Sequence, residues 1–348
     1  MTFIWFILIL GLIVFIHEFG HFIMAKKNGI YVYEFSLGFG PKLFSFKRKN
    51  DETEYMIKLI PLGGYVMLAG ETDEDDKKIR DDQKLYNKGF LAKISVMVAG
   101  VFNNFLLGFI LIFIIGLAFG STFSSNKLDK LPKDLPLYQA GARDGDYVTK
   151  INGKKIRNYD DIQVMLAIAG EKKKIDITIK KPNGQEKTYN IKSKKDKEDG
   201  NYYYGISIKM REGKGIVDAF KYACDKFVSI FKGLIIIIIS LFTGKLGINS
   251  LSGPVGIYQV VGEASKGTFE VVAYSLLYLT AYLSINVGFM NILPFPAFDG
   301  GQAFLLIIEK ITGKKISMKV KSAINSVGFV LLMILMIYVT IKDVLKLF

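Results

Sequence analysis

Phe3 to Ile16 is apolar apart from Gly11, and Phe22 to Ala25 continues the run. Together they make about the 20 residues a helix needs to cross a bilayer. Inside that stretch sits His17-Glu18-Phe19-Gly20-His21. Imidazoles and carboxylates are costly in hydrocarbon and are kept there chiefly when they have work to do. His17 and His21 are four apart, so a helix projects both from one face. Two imidazoles so placed can grip one zinc ion, and Glu18 can act as a base on water beside it. The chain has only two histidines, and this motif uses both. The same spacing arises by chance on many solvated helices, but membrane-grade flanks remove solvation as an explanation. A cleaved signal peptide fits poorly, because no basic residue precedes the run and Lys26-Lys27 follow it.

Half of the 348 residues are hydrophobic and 13% are aromatic, which suits an integral membrane protein with soluble parts. The net charge of +14 raises the question of nucleic acid. The excess sits in a Lys-rich soluble segment and in loops beside apolar spans, without a basic helix rich in stacking aromatics. Contact with the anionic surface of a lipid bilayer explains it better, and no nucleic-acid partner is expected. One cysteine, Cys224, excludes an internal disulfide framework and any cysteine-rich metal site.

Lys26-Lys27 place the end of the first span in the cytoplasm by the positive-inside rule. A glycine-punctuated β pattern follows. Leu43 to Lys47 and Thr53 to Ile60 flank a polar turn at Asn50-Asp51 and read as a hairpin. After Pro61 and Gly63-Gly64 comes Tyr65 to Leu68, another short apolar strand. So apolar a hairpin beside a membrane helix fits either a sheet dipping into the bilayer or an ordinary cytoplasmic hairpin. Glu71 to Lys88 reads as a solvated connector. Ile94 to Phe119 is the second span, carrying Asn103 and Asn104, two amides able to bond between helices or to touch a substrate backbone.

Ser121 to Arg211 is soluble and of small-domain size. It offers strands at 147–151, 175–179, 188–191 and 202–208, an Asn152-Gly153 turn and a helix over 160–169, which fit a small half-open barrel. Its lysines between Lys172 and Lys197 read as a solvated surface. Val271 to Leu293 and Ser326 to Ile341 are the third and fourth spans. Ala219 to Phe242 is very apolar at Leu234 to Ile239, but Lys232 interrupts it, and Gly233 to Thr243 is half the length a crossing requires. Topology decides the matter. If 226–243 lies along the outer interface as an amphipathic helix, the span ending at Leu293 finishes on the cytoplasmic side, near His17 and His21. A carboxylate, Asp299, then lies close to the two imidazoles. Four spans with both termini outside are expected.

Catalytic zinc usually takes three protein ligands plus water. Asn291-Ile292-Leu293-Pro294-Phe295-Pro296-Ala297-Phe298-Asp299-Gly300-Gly301 supplies the candidate third. Two prolines break the helix, Gly300-Gly301 lets the backbone turn, and Asp299 is presented from an irregular segment. At this point the chain resembles the bacterial site-2 proteases of the RseP/RasP type, zinc metalloproteases that cut within the membrane. The resemblance rests on His17-Glu18-Phe19-Gly20-His21, Leu62-Gly63-Gly64-Tyr65-Val66 with Gly70-Glu71, and Ala99-Gly100 with Asn104. It continues in Ser252-Gly253-Pro254-Val255-Gly256 and in Asn291, Pro294, Pro296, Asp299 and Gly300. Each block alone is modest; their joint order is specific.

The resemblance implies His17, His21 and Asp299 as Zn2+ ligands, Glu18 as the base, and Asn291 as a substrate or transition-state contact. It implies that residues 121–212 form one PDZ-like α+β domain outside the cytoplasm, and that the hairpin is the family's membrane-dipping β element. The fold expected is a polytopic α-helical membrane protein of four transmembrane helices, with that β region and that single domain. Its parts are a first span over 1–27, a β region and connector over 28–93, and a second span over 94–120. Beyond the soluble domain come an interfacial helix and loop over 213–268 and a third span with the Asp-Gly segment over 269–301. A cytoplasmic loop over 302–323 leads to a fourth span over 324–348. Val101, Phe298 and Gln302 depart from the family's usual residues without touching a ligand.

The function implied is intramembrane proteolysis in a bacterial plasma membrane, acting on single-span membrane proteins, such as an anti-sigma factor already cut once or a signal-peptide remnant. A helical substrate must be unwound before attack, and Gly64, Tyr65 and Val66 could pair with the opened segment by strand addition. Asn104 is a further candidate substrate contact, and the PDZ-like domain a filter for ectodomains or tails. The alternative is a catalytically idle scaffold that collects protein tails. The joint presence of His17, Glu18, His21 and Asp299 argues against it.

Overall fold

Long apolar runs dictate the architecture, since a backbone in hydrocarbon must satisfy its own hydrogen bonds. The computed structural model describes residues 1–71, 79–170, 174–196 and 200–346. Residues 72–78 of the connector, and Lys172, Lys173 and Lys197 of the Lys-rich segment, lie outside the described residues. Among the described residues, four helices are long and apolar enough to cross a membrane. They are α1 (Thr2–Lys27), α2 (Phe90–Ala118), α7 (Phe269–Ile292) and α9 (Met318–Leu345). The chain divides into two compact units, one of residues 1–111 with 251–348 and one of residues 112–250.

In the first unit, β1 (Val32–Lys47) and β2 (Glu54–Leu68) pair antiparallel, but not as one plain hairpin. Residues 54–57 of β2 pair with 44–47 on one side and with 34–37 on the other, and 34–37 pair in turn with 64–67. Each long strand therefore folds back, making a four-segment sheet whose edges are 42–47 and 64–68. The segment at 32–37 is additional to the strands expected from sequence. Gly38 and Gly40, with φ of +88° and +84°, interrupt its alternation, and a side chain at Gly38 would strike the Ile60 carbonyl at 2.6 Å. Ala25, Ile30, Val32, Leu68 and Val96 bury the sheet's base against α1 and α2. The far half leaves Leu43, Phe44, Phe46, Ile57, Leu59 and Ile60 exposed.

An ionic knot fastens the sheet to the end of α1. Lys26 Nζ donates to Asp51 and to Glu52 at 2.6 Å each, and Asp51 also accepts from the Thr53 amide and the Tyr55 hydroxyl. Burial raises the Asp51 carboxyl, but Lys26, Tyr55 and Thr53 together hold it well below the usual carboxylate range. The same burial and the Asp51 carboxylate push Tyr55 up to about 12.

The rest of the first unit is helical. After α7, a broken segment leads into α8 (Asp299–Thr312), and α6 (Pro254–Ala264) packs on α1, α7 and α9. Asp343 of α9 is 5% exposed and accepts the Gly253 and Gly256 amides at 2.6 and 3.1 Å. It thereby satisfies donors at the start of α6 that no residue within that helix can pair. Lys342 donates to Leu251 O beside it.

The second unit contains β3 (Ser121–Leu128), one turn of helix α3 (Pro136–Gln139), β4 (Tyr147–Ile151), β5 (Lys154–Lys155) and α4 (Tyr159–Ala169). It continues through β6 (Lys174–Lys180), β7 (Glu186–Lys192), β8 (Lys194–Lys195), β9 (Tyr202–Tyr203), β10 (Ile208–Gly213) and α5 (Gly215–Phe242). The main sheet is antiparallel with order β10-β3-β4-β6-β7, and β5 hangs on β4. Asn152 and Gly153, at φ +47° and +75°, make the tight turn between β4 and β5 that this dipeptide favours. Val148, Ile151, Ile162, Ile175, Ile177 and Ile179 form its core. Asp225, Lys226 and Lys232 interrupt α5, which packs on α4. Lys226 pairs with Asp160 at 2.7 Å, and Asn158 donates to Ser229. A cavity of about 820 Å³ lies between α4 and the stretch Tyr202 to Ile206.

Two outcomes follow from these anchors. Asp343→Ala leaves two helix-start amides without a partner, a loss of about 1–3 kcal/mol, read as a lower melting temperature in detergent. Asp51 has a depressed folded pKa, so its contribution is present above the unfolded value of about 3.9 and is lost as pH falls below that. Protection factors for amide exchange in the 32–68 sheet, taken against the intrinsic rate at each pH, should therefore fall on acidification below about pH 4, and Asp51→Asn should give the low protection already at neutral pH.

Candidate metal centre

Helix α1 carries His17 and His21 one turn apart on one face, and α2 runs antiparallel beside it. The approach is close because the contact residues are small. A side chain at Gly20 would meet Ala99 O at 2.4 Å, and one at Gly100 would meet His21 Nε2 at 2.4 Å and His17 Nδ1 at 2.9 Å. His21 Nδ1 lies 2.8 Å from Val96 O. A carbonyl can only accept, so Nδ1 carries the proton and Nε2 keeps its lone pair for a ligand.

Asp299 arrives from the other end of the chain. Leu293 to Phe298 forms an irregular turn in which Ala297 has φ +74°, a region a side chain rarely adopts. Asp299 itself is the first residue of α8, where a helix start favours a carboxylate. The paired glycines Gly300-Gly301 predict a bend, but both lie inside α8 with ordinary φ. Their role is room: side chains there would strike Ile292 O at 2.3 Å and Phe295 O at 2.2 Å. Gly328 of α9 likewise lies against Pro296.

These elements bring three donors together. His17 Nε2 and His21 Nε2 are 3.2 Å apart, and Asp299 Oδ2 lies 3.1 and 3.3 Å from them. A tetrahedral ion with bonds of about 2.0–2.1 Å separates its ligands by about 3.3–3.4 Å. Asp299 Oδ2 is enclosed and has no hydrogen-bond partner, the state expected of an oxygen that a cation completes. Among the described residues, His17, His21 and Asp299 are the one group of three or more such side chains able to share an ion. Two nitrogens and one oxygen suit zinc.

A cavity of about 840 Å³ opens on this triangle and is lined by His17, Glu18, His21, Tyr65, Val66 and Asp299, among others. Val66 presents its backbone N–H to Glu18, and Gly64 lies so near that a side chain would meet Glu18 Cγ at 3.3 Å. The Tyr65 hydroxyl donates to Glu34 and accepts from Lys58 at 2.6 Å. Four of the residues expected from sequence at the centre, and the three strand residues, are thus brought together. Asn104 is fully buried, with its amide against His17 Nδ1 at 3.1 Å. The direct substrate contact expected of it gives way to a contact with an imidazole. Asn291 stands apart: its amide donates to Val287 O one turn back, and it does not line the cavity. Asn103 donates to Ile16 O and joins the two helices. Sequence reasoning missed Val96 O, which accepts the hydrogen bond of His21 Nδ1–H, and the space made by Gly100. The signal was present in the fourfold spacing 96, 100, 104, the same interval that separates the histidines.

The sequence matches the model of peptidase family M50 over residues 5–335. A Clostridium perfringens protein, whose name marks it as a candidate zinc metalloprotease, is 39% identical over 334 residues, covering 96% of this chain and 95% of that one. The regulator of sigma-W protease RasP of Bacillus subtilis is 30% identical over 428 aligned positions, covering all of this chain and 99% of RasP. The zinc metalloprotease RasP of Bacillus licheniformis is 30% identical over 427 positions, with coverage of 100% and 99%. The chain belongs to peptidase family M50, the site-2 protease family. It is a zinc metalloprotease with four apolar helices suited to a bacterial membrane.

Gly100→Ala places a methyl group on the two imidazoles. Zinc binding, measured by competition with a chromophoric chelator, should weaken by at least tenfold while helix content by circular dichroism is unchanged.

Proposed function

We propose that this protein hydrolyses peptide bonds inside the membrane, with His17, His21 and Asp299 holding the zinc and Glu18 moving the proton. The observation that carries the reading is the triangle of donors at 3.1, 3.2 and 3.3 Å, one member of which is a buried oxygen without a partner. When bound there, zinc supplies a Lewis acid that makes water nucleophilic near neutral pH. Glu18 takes the proton from that water and passes it to the leaving amine. Asn291 meets the developing oxyanion only if its amide leaves Val287 O.

Scission needs an extended substrate. The segment 64–68 is a sheet edge beside Glu18, and an edge offers unpaired amides and carbonyls to a second strand. Gly64 lets that edge approach the carboxylate, and Val66 and Tyr65 line the cavity where the substrate would lie. The exposed apolar far half of the sheet suits contact with lipid. The membrane arrangement proposed is the one inferred from Lys26-Lys27, with both termini outside and the metal centre nearer the cytoplasmic face.

The second unit supports a PDZ-like assignment through its antiparallel barrel-like sheet, α4, and the cavity between α4 and Tyr202 to Ile206. Such a groove would hold a polypeptide tail outside the cytoplasm, and α5 would lie in the outer interface. The substrates proposed are single-span proteins whose ectodomains have been trimmed, by analogy with the sigma-W regulation named for the relative in Bacillus subtilis.

Glu18→Gln separates the readings. Purified in detergent, it should bind zinc as the native chain does and lose at least a thousandfold in cleavage of a model transmembrane substrate. Undiminished cleavage would sink the assignment of the base.

A further inference from the structure

Asn104 occupies a position that the proton transfers described above do not explain. It is fully buried, its backbone carbonyl accepts from Ser284 Oγ at 2.8 Å, and its amide abuts His17 Nδ1 at 3.1 Å. The atom placed toward the imidazole is Nδ2, while Oδ1 is enclosed and has no partner. With Nδ2 donating, His17 would have to accept at Nδ1 and carry its proton on Nε2. Nε2 is the nitrogen aimed at His21 and Asp299, and a protonated nitrogen cannot ligate a metal. The two ends of an amide are distinguished by their hydrogen bonds rather than by their shape. A half-turn of the amide puts Oδ1 against Nδ1–H and frees Nε2.

We propose that Asn104 is a positioning residue which accepts a hydrogen bond from His17 Nδ1–H through Oδ1 and so fixes the metal-binding tautomer of that ring. The inference rests on the zinc reading of the site. It gives the two histidines matching supports from one face of α2. Val96 O accepts a hydrogen bond from His21 Nδ1–H, Asn104 Oδ1 accepts one from His17 Nδ1–H, and Gly100 between them leaves room for both rings. Outer partners of this kind orient an imidazole and raise its basicity, and losing one commonly weakens metal binding about 10- to 100-fold.

The test uses the full-length protein in detergent. Asn104→Leu should weaken zinc binding about 10- to 100-fold by chelator competition, whereas Asn104→Asp, which keeps an acceptor, should stay within a few-fold of native. Ser284→Ala removes the bond to the Asn104 carbonyl without touching the amide, and should leave zinc affinity unchanged. Because the chain has two histidines, 15N-histidine NMR of the zinc-loaded native protein reads both rings without assignment by mutation. Both should carry the proton on Nδ1. A ring protonated on Nε2 in that spectrum, or Asn104→Leu binding zinc as native does, overturns the proposal alone. Failure of the native chain to bind zinc overturns the metal reading and this proposal with it.

Discussion

The structure depends on making two imidazoles and a carboxylate tolerable in apolar surroundings. Each is costly there unless something offsets its burial. The ring of His21 leans on a backbone carbonyl and the ring of His17 on a buried amide, while Asp299 Oδ2 faces the two Nε2 atoms at 3.1 and 3.3 Å and is left for a cation to complete. That need sets the register of α1 against α2, because the supports at 96 and 104 must face 21 and 17. It explains why glycine stands at 20 and at 100, where the helices approach too closely for any side chain. It also explains why the chain must return from residue 299 to a site begun at residue 17.

The same logic sorts what could be read from the sequence. The spans were legible because hydrocarbon demands length and apolarity, and the structure starts each of the last three earlier than expected, at Phe90–Ala118, Phe269–Ile292 and Met318–Leu345. The histidine motif was legible because four-residue spacing on a helix is itself a geometric statement. Asp299 was legible only through topology, since nothing local distinguishes it from an ordinary turn residue. What stayed hidden depended on contacts between distant segments. The folded-back sheet could not be seen because Gly38 and Gly40 break the alternation that identifies a strand. Gly300 and Gly301 look like bend residues, and only the carbonyls of Ile292 and Phe295 reveal that they make space.

Two asparagines show how far residue type alone can mislead. Both lie in membrane helices and either could touch a substrate. Burial decides for Asn104, which has no open face, and a bond to its own helix keeps Asn291 out of the cavity. On the sheet side, Gly64 and Val66 converge on Glu18 from the 64–68 edge. The Glu18 carboxylate therefore adjoins the 64–68 edge and lines the cavity that opens on the donor triangle.

The turn that delivers Asp299 passes through Ala297 at φ +74°, a conformation costing on the order of 1 kcal/mol or more for a residue with a side chain. It is clamped by glycine contacts at 300, 301 and 328, none of which has slack. The tight packing at these glycines, rather than any bond the carboxylate makes for itself, sets where Asp299 meets the two imidazoles.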